Sequence, residues 1–382
     1  MKFFHLSDLH IGLKLFNRDL HDDQMYIFDQ ICAAAAREQP DAVLIAGDIY
    51  DKAIPSAEAV ELFDHFIAKL TLSAPQSEIM MISGNHDSAP RINVFRQILQ
   101  QQKLHMIGVP PQQPEEYIEQ VTLTDAFGPV HFYLLPFVKP SMVKAIVGTD
   151  DVGNNLSYDE TLHRLIGREH IIETDRNVLV SHQFYLPVGA GADSVERMDS
   201  EIRTVGNIDE VRADILERFD YAALGHIHKP TDLGRNARYC GTPLPCSVSE
   251  AGQEKSIIMV ELGEKGDLRT TLLPLRPFHQ VRVITGTLEE VLTEACADYV
   301  TVVLTDKVDL DVIDMQDRIR AAFPNLLEIR RETLRRADYA AHDFSAEKPD
   351  PFALCNSFLN DLSTDEQTLL QDVINTVQEV DA

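Results

Sequence analysis

The stretch from Ile79 to Asp87, Ile-Met-Met-Ile-Ser-Gly-Asn-His-Asp, constrains the fold of this chain more than any other. Its apolar first half predicts a buried strand, and Gly84 ends that strand before three polar side chains that a core would exclude. The three polar residues therefore belong at a strand end, facing a cleft. Ser88 to Pro90 predict the start of a helix that continues to Leu99, and a helix N-terminus beside these residues favours anions.

Four other apolar segments also end in polar side chains. Helical spacing over residues 22–37 and 56–70 separates the first three strands, which predicts the order strand, helix, strand, helix, strand. Parallel strands collect ligands at their carboxyl ends, so we expect these side chains to meet at one edge of a sheet. The residues are Asp8 and His10 after strand 2–6, Asp48 and Asp51 after 41–46, His182 after 177–180, and His226 and His228 after 220–224.

Together the strand ends offer a set of oxygen and nitrogen donors without sulfur. The seven donors are Asp8, His10, Asp48, Asn85, His182, His226 and His228. Such donors suit Mn²⁺, Fe²⁺ or Zn²⁺ and disfavour an all-oxygen Mg²⁺ or Ca²⁺ site. Because seven donors exceed what one ion takes, the sequence predicts two ions that share a bridging carboxylate. Two such ions can activate a water for in-line attack at phosphorus, which predicts phosphoester hydrolysis.

Each of these motifs alone also has a commonplace interpretation. Asp8 and His10 are typical of capping or solvated groups, and the glycine and aspartate at Gly47–Asp48 commonly end a strand. The joint pattern of five strands with metal-competent ends, in one order, favours the metal site over independent coincidence.

The motifs DxH, GDxxD, GNHD, a lone histidine and GHxH, in this order, resemble those of the calcineurin-like metallophosphoesterases. The resemblance implies an α/β fold, a four-layer α/β/β/α sandwich with a binuclear site at the sheet edge, a small α/β capping domain and a C-terminal helical tail. It implies a first ion held by Asp8, His10, Asp48 and His228, and a second held by Asp48, Asn85, His182 and His226.

The same resemblance implies roles for residues beside the ligands. His86 is expected to approach the scissile phosphate, where it stabilises charge or protonates the leaving oxygen, and Asp87 is expected to orient its ring. Asp51 is a candidate supporting carboxylate. Arg91 is a candidate phosphate contact, although a solvated arginine is the commoner case.

Further stretches, Ser194–Arg197, Asp220–His228 and Tyr239–Leu244, resemble the nuclease subunits of this family. That narrower resemblance implies a Mn²⁺-dependent exonuclease and endonuclease acting on double-stranded DNA ends and hairpins. It further implies an SbcC-type ATPase partner and a homodimer within a heterotetramer. The chain has no phosphate-binding loop of its own, so ATP hydrolysis is expected from the partner. Pro245 and Cys246 depart from the basic or aromatic residues common there, which puts a DNA contact at this point in doubt.

Prolines at 274 and 277 predict a boundary after a nuclease domain of residues 1–275. Residues 276–340 are then expected to form the small α/β domain, with helices at 288–296 and 312–323. Residues 341–382 predict two amphipathic helices, the second opening with a Ser363–Glu366 capping box. The resemblance implies that this tail docks on the partner's coiled coil; packing on the chain's own core is the alternative.

The net charge of −27, from 34 basic and 61 acidic residues, is opposite to the usual footprint of a nucleic-acid binder. It favours a rival function, a stand-alone phosphoesterase acting on a small phosphodiester or nucleotide. A non-catalytic scaffold with structural metal is a second rival. No apolar run is long enough for a membrane helix, so we expect a cytoplasmic protein, and five scattered cysteines predict free thiols.

Overall fold

A computed structural model of the chain describes residues 1–187, 189, 197–201, 209–306 and 312–331, together with 363, 366, 367, 369, 370 and 373. The chain divides into two units, Met1–Glu332 and Thr333–Ala382, which are described separately. Among the described residues, no helix combines the length and the apolar character needed to span a bilayer.

The first sheet has six strands in the order β16-β15-β1-β4-β5-β6. The strands are β1 (Lys2–Leu6), β4 (Ala42–Ala46), β5 (Glu78–Ile82), β6 (Leu104–Ile107), β15 (Lys255–Leu262) and β16 (Leu268–Leu275). Strands β1, β4, β5 and β6 are parallel, whereas β15 and β16 run antiparallel to their neighbours. The carboxyl ends of β1, β4 and β5 therefore reach the same edge.

The second sheet also has six strands, in the order β13-β14-β12-β9-β8-β7. The strands are β7 (Glu119–Asp125), β8 (Gly128–Leu135), β9 (Arg176–His182), β12 (Tyr221–Gly225), β13 (Thr231–Asp232) and β14 (Ala237–Tyr239). Strands β8, β9, β12 and β14 are parallel, with antiparallel β7 and β13 at the two margins.

The two sheets stack face to face, and helices cover their outer faces. Strand β4 shows why: Leu44 joins a core between the sheets, while Val43 and Ile45 pack beneath helices on the other side. Alternate residues of a strand point to opposite faces, so a wholly apolar strand fits between two apolar layers. The predicted four-layer sandwich is confirmed. Helices α1 (His21–Glu38) and α2 (Ala57–Ser73) cover the first sheet, and α6 (Tyr158–Gly167) covers the second.

Short elements complete the sandwich. They are β2 (Lys14–Leu15) paired with β3 (Arg18–Asp19), β10 (Phe184–Leu186) paired with β11 (Glu210–Arg212), and the helices α3 (Ala89–Ile92), α4 (Arg96–Leu99) and α5 (Lys144–Val147). Short 3₁₀ helices occupy Gln100–Gln102, Pro140–Met142, Ala213–Arg218 and Val248–Glu250.

The single helix expected from Ser88 to Leu99 is wrong, because two short helices replace it. Phe95 adopts a left-handed backbone conformation, φ 60°, which interrupts the helix between α3 and α4. Of the apolar residues that suggested a continuous buried face, Ile92 is buried, at 2% exposure, whereas three others face solvent. Val94, Phe95 and Ile98 are 50%, 71% and 62% exposed.

A three-stranded parallel sheet follows the sandwich, with its own core. Its strands and the two helices that connect them are, in chain order, β17 (Val281–Gly286), α7 (Leu288–Leu292), β18 (Tyr299–Leu304), α8 (Val312–Ala322) and β19 (Leu326–Arg331). The element order matches the prediction, although α7 ends before the expected Cys296. This sheet contacts α1, where the Tyr299 hydroxyl donates to Asp23 at 2.8 Å.

In the second unit, the predicted capping box is present. The Glu366 backbone N–H donates to Ser363 Oγ at 3.4 Å, and the Ser363 N–H donates to Glu366 Oε2 at 2.8 Å. This reciprocal pair satisfies two donors at a helix start, and Glu366 and Leu369 are helical. The first predicted tail helix, with Phe352 and Phe358, lies outside the described residues.

Candidate metal centre

The loops after β1 and β4 remain paired beyond the sheet. The N–H of Asp8 donates to Gly47 O and that of His10 to Asp48 O, each at 3.0 Å. Asp8, His10 and Asp48 all take left-handed backbone conformations, with φ of 52°, 42° and 49°. Each such residue costs on the order of 1–3 kcal/mol. The pairing and the turns together place the three side chains side by side, all at most 2% exposed.

Asp48 lies between two groups of donors. Its Oδ2 is 3.3 Å from His182 Nε2 and 3.8 Å from His10 Nε2. Its Oδ1 accepts a hydrogen bond from the His86 backbone at 2.8 Å. A Cβ at Gly84 would overlap this carboxylate, so only glycine fits at the elbow. Asp48 is therefore the carboxylate placed to serve both groups.

The second group gathers at Asn85. Its Oδ1 lies 3.0 Å from His182 Nε2 and 3.0 Å from His226 Nδ1. The Nδ1–H of His182 donates to Ala46 O at 2.7 Å, so Nε2 is the ring nitrogen directed toward the group. A hydrogen bond to one ring nitrogen commonly orients a metal-binding histidine in this way.

The first group gathers at His10 and His228, whose Nε2 atoms are 3.1 Å apart. Asp8 Oδ1 lies 4.0 Å from His228 Nε2 and also accepts from the His226 backbone at 3.1 Å. On its other side, His228 Nδ1 lies 2.8 Å from Ser200 Oγ. The orientation of His228 is thus set by a hydroxyl outside the group.

The residues present fit divalent metal ions. All seven predicted donors converge, in two groups that share Asp48, and six of them are at most 6% exposed. Among the described residues, buried His10 Nδ1 and His226 Nε2 have no hydrogen-bond partner. Carboxylate, amide and imidazole donors suit Mn²⁺, Fe²⁺ or Zn²⁺. Membership of the donors in one ion or the other stays a prediction.

Two of the histidines are ready to bind a metal ion near pH 7, and a third must first lose a proton. Burial lowers the pKa of His10 to about 3 and that of His226 well below its usual value, so both rings are neutral near pH 7. Burial raises the pKa of Asp48, but the nearby His182 ring lowers it by more. The pKa of Asp48 therefore lies below its ordinary value, and the carboxyl is ionised. Burial lowers the pKa of His182, yet the Asp48 charge raises it to about 9 overall. An ion that binds His182 must displace its proton.

His86 is oriented by a backbone carbonyl. Its Nδ1–H donates to Asp51 O at 2.9 Å, and its ring stands edge-on to His10 with centroids 4.8 Å apart. The expected role of Asp87 in orienting this ring is wrong. The Asp87 carboxylate instead accepts from the N–H groups of Ile49, Tyr50 and Gly84 at 2.9–3.0 Å, tying the elbow to the loop after β4.

Two other candidates lie at the margin of the site. Asp51 is partly buried, and its Oδ1 lies 3.7 Å from His10 Nδ1. Arg91 lies exposed on α3. No contact brings Arg91 to the described donor groups, and its role as a phosphate contact stays a prediction.

The sequence analysis missed a buried ion pair behind the first group. Glu250 and Lys255 are 0% and 3% exposed, with Oε2 and Nζ 2.6 Å apart. The other carboxylate oxygen accepts from Ser200 Oγ at 3.1 Å, so the pair supports the hydroxyl that contacts His228. The one available signal was a lysine at the head of an otherwise apolar strand, β15.

Two known families match successive parts of the chain. Residues 1–230 match the family model described as calcineurin-like phosphoesterase, and residues 277–361 match the type 5 capsule protein repressor C-terminal domain. A curated relative, SbcD of the nuclease SbcCD from Staphylococcus epidermidis, is 27% identical over 380 residues, covering 97% of this chain and 96% of the relative.

Two solved structures are similar at lower identity. GAP50, the anchor in the inner membrane complex of Plasmodium, is 12% identical with a TM-score of 0.40, covering 86% of this chain and 96% of that one. A dimetal phosphatase from Danio rerio is 13% identical with a TM-score of 0.38, covering 72% and 99%. At these TM-scores the two likenesses carry no argument about this chain.

Proposed function

We propose that this chain, which belongs to the calcineurin-like phosphoesterase family, is the metal-dependent nuclease subunit of a complex with an SbcC-type ATPase. The similarity to SbcD extends over 97% of the chain, which supports the proposal beyond the shared catalytic domain. The complex would act in DNA recombination and repair, in the cytoplasm. Its substrates are double-stranded ends, cleaved as an exonuclease, and hairpins or single strands, cleaved as an endonuclease.

The position of Asp48 between two groups of buried donors is the main support for the proposal. We assign the first ion to Asp8, His10, Asp48 and His228, and the second to Asp48, Asn85, His182 and His226. Mn²⁺ is the ion we propose for both positions, since the donors are carboxylate, amide and imidazole. When bound, two such ions supply an activated water and electrostatic stabilisation of the charge that develops at phosphorus.

His86 is the residue we propose to act on the substrate directly. Because its Nδ1–H donates to Asp51 O, its Nε2 is the nitrogen available to a phosphate or leaving oxygen. Asp87 acts through the backbone, since its carboxylate holds the elbow that carries Asn85 and His86. Arg91, exposed near the elbow, is proposed as a further phosphate contact.

The partners follow from surfaces outside the site. Exposed Val94, Phe95 and Ile98 support a homodimer, because they leave three apolar side chains on the surface around the turn between α3 and α4, and exposed apolar surface favours association. We propose that residues 341–382 dock on the ATPase and that residues 276–340 cap the nuclease domain of residues 1–275. A partner with basic surface would offset the net charge of −27, because phosphate contacts dominate DNA affinity.

The test measures Mn²⁺-dependent cleavage of a blunt, end-labelled duplex by the chain alone and with the ATPase partner plus ATP. His86→Gln is the matched variant, since it keeps the donors and removes the proposed acid. We expect cleavage by the wild type that the partner and ATP stimulate, and at least a hundredfold loss in the variant, on the order of one general acid. A variant that cleaves as fast as the wild type would contradict the role of His86.

The strongly acidic chain favours one alternative, a stand-alone phosphoesterase for small phosphodiesters. Hydrolysis of a chromogenic phosphodiester, with duplex DNA left intact in every condition, would establish it. Removing residues 341–382 tests whether this segment docks on the ATPase or packs on the chain's own core. We expect the shortened chain to lose ATPase binding and to keep hydrolysing the small phosphodiester.

A further inference from the structure

A thiol lies beside the first group of metal donors. Cys246 Sγ, one nitrogen of His10 and one nitrogen of His228 all lie within 4.8 Å of one another. The three residues are 8%, 2% and 1% exposed, and buried His10 Nδ1 has no hydrogen-bond partner among the described residues. Sulfur is absent from the donors assigned to the two catalytic ions. The cluster therefore offers a second way to use two of those donors.

One carboxylate holds both sides of this cluster. Glu250 Oε1 accepts from the Cys246 backbone N–H at 3.1 Å and from Ser200 Oγ at 3.1 Å, and that hydroxyl lies 2.8 Å from His228 Nδ1. Lys255 anchors Glu250 at 2.6 Å from the opposite side. The network thus fixes the backbone of Cys246 and the ring of His228, while the Cys246 thiol itself donates to Leu244 O at 3.5 Å. Proteins commonly position metal ligands in this way before an ion arrives.

The donor chemistry selects a particular class of ion. Two imidazole nitrogens and a thiolate are typical ligands of Zn²⁺, with a fourth position open to water. Soft thiolate ligands favour Zn²⁺ and related thiophilic ions, whereas Mn²⁺ prefers carboxylate and other oxygen donors. At equal ligands Zn²⁺ already binds more tightly than Mn²⁺, and a thiolate widens that difference.

We propose that His10, His228 and Cys246 form a binding site for a thiophilic divalent ion, and that Zn²⁺ is the ion it favours. Occupancy of this site withdraws two donors from the first catalytic ion and so excludes the productive arrangement. The Cys246 thiol releases its proton to solvent as the sulfur–metal bond forms, which balances the binding step. The inference rests on the metal centre of the proposed function and is independent of its substrate.

The first test is X-ray absorption at the zinc edge, on the wild-type chain loaded with one equivalent of Zn²⁺. We expect one sulfur scatterer in the first shell at about 2.3 Å, the usual Zn–S distance. A first shell of nitrogen and oxygen alone would overturn the proposal. This measurement needs no variant, so it decides the question even if a substitution at Cys246 prevents folding.

The second test compares Zn²⁺ affinity, by competition with a chromophoric chelator, in the wild type, Cys246→Ser and Cys32→Ala. Cys32 is the matched control, a buried thiol on α1 outside the site. We expect at least about tenfold weaker binding in Cys246→Ser and no change in Cys32→Ala. Equal affinity in Cys246→Ser and the wild type would refute the site. Neither test measures hydrolysis, so a failed nuclease assay leaves the result intact.

Discussion

Replacing Glu250 by Gln tests the buried support of the first donor group. The substitution keeps the shape of the side chain and removes the only carboxylate that pairs with Lys255 in the described structure. Lys255 Nζ then retains Thr242 Oγ1 at 2.8 Å and Gln253 Oε1 at 3.0 Å, which are neutral acceptors. The Lys255 side chain, which is 1% exposed, then holds its positive charge without a negative partner.

The size of the effect follows from that burial. Breaking a buried ion pair by removing one partner costs about 3–5 kcal/mol, against about 1 kcal/mol or less for an exposed pair. For a chain of this size the loss corresponds to a fall of roughly 4–6 °C in Tm. The double variant Glu250→Gln/Lys255→Met should lose less than Glu250→Gln alone, because no unpaired charge remains buried.

The assay is chemical and thermal unfolding of the metal-free chain, followed by circular dichroism. The pH dependence of the unfolding free energy is a second readout. Burial raises the pKa of Glu250, but hydrogen bonding to His228 and the Lys255 charge hold it well below its ordinary value of 4.5. A carboxyl with a depressed pKa stabilises the fold above the unfolded value and loses that contribution as pH falls. The difference in unfolding free energy between the wild type and Glu250→Gln should therefore become smaller below about pH 4.5.

A third readout concerns the metal. Because Ser200 connects Glu250 to His228, Glu250→Gln should weaken Mn²⁺ binding about 10–100-fold. A loss of unfolding free energy below about 1 kcal/mol in Glu250→Gln, the value typical of an exposed pair, would show that the Glu250–Lys255 pair does not stabilise the fold as a buried pair. Loss of unfolding free energy in the double variant equal to the sum of the losses in Glu250→Gln and in Lys255→Met alone would contradict the pairing as well.

Three further predictions concern other parts of the chain. Burial lowers the pKa of His5 to about 3, so this histidine should remove about 1.4 kcal/mol of unfolding free energy for each pH unit between about 6.5 and 3; in urea titrations a His5→Gln variant should lose that much less than the wild type. Gly84→Ala should abolish tight Mn²⁺ binding, measured by calorimetry, because its methyl group would overlap the Asp48 carboxylate. Tyr299→Phe should cost about 1–3 kcal/mol, seen as a lower Tm, since Asp23 loses a buried donor.

The strand-end motifs carried most of what the sequence could predict. Asp8, Asp48 and Asn85 follow apolar segments, and topology alone brings the ends of parallel strands together. The prediction for Asp87 failed because it was carried over from the family resemblance, and the motif itself does not show which groups the carboxylate contacts. The N–H groups of Ile49 and Tyr50, which it contacts, approach only after β4 and β5 pair.

Other misses share that physical cause. The spacing of Val94 and Ile98 indicates an apolar helix face, but periodicity cannot distinguish a face that is buried from one left exposed. Glu250 and Lys255 belong to no motif, and their pairing depends on how the 3₁₀ turn meets β15. The approach of Cys246 to His10 joins residues from distant parts of the chain, which spacing cannot reveal.

The left-handed backbone at the site has a consequence for how this sequence can change. Asp8, His10, Asp48 and His226 carry positive φ angles where glycine would be relaxed. A population of variants selected only for heat resistance should therefore accumulate glycine or asparagine at these four positions, and so drift toward stable proteins without a metal centre. Aspartate and histidine at these positions thus serve the chemistry of the site at a cost to the stability of the fold.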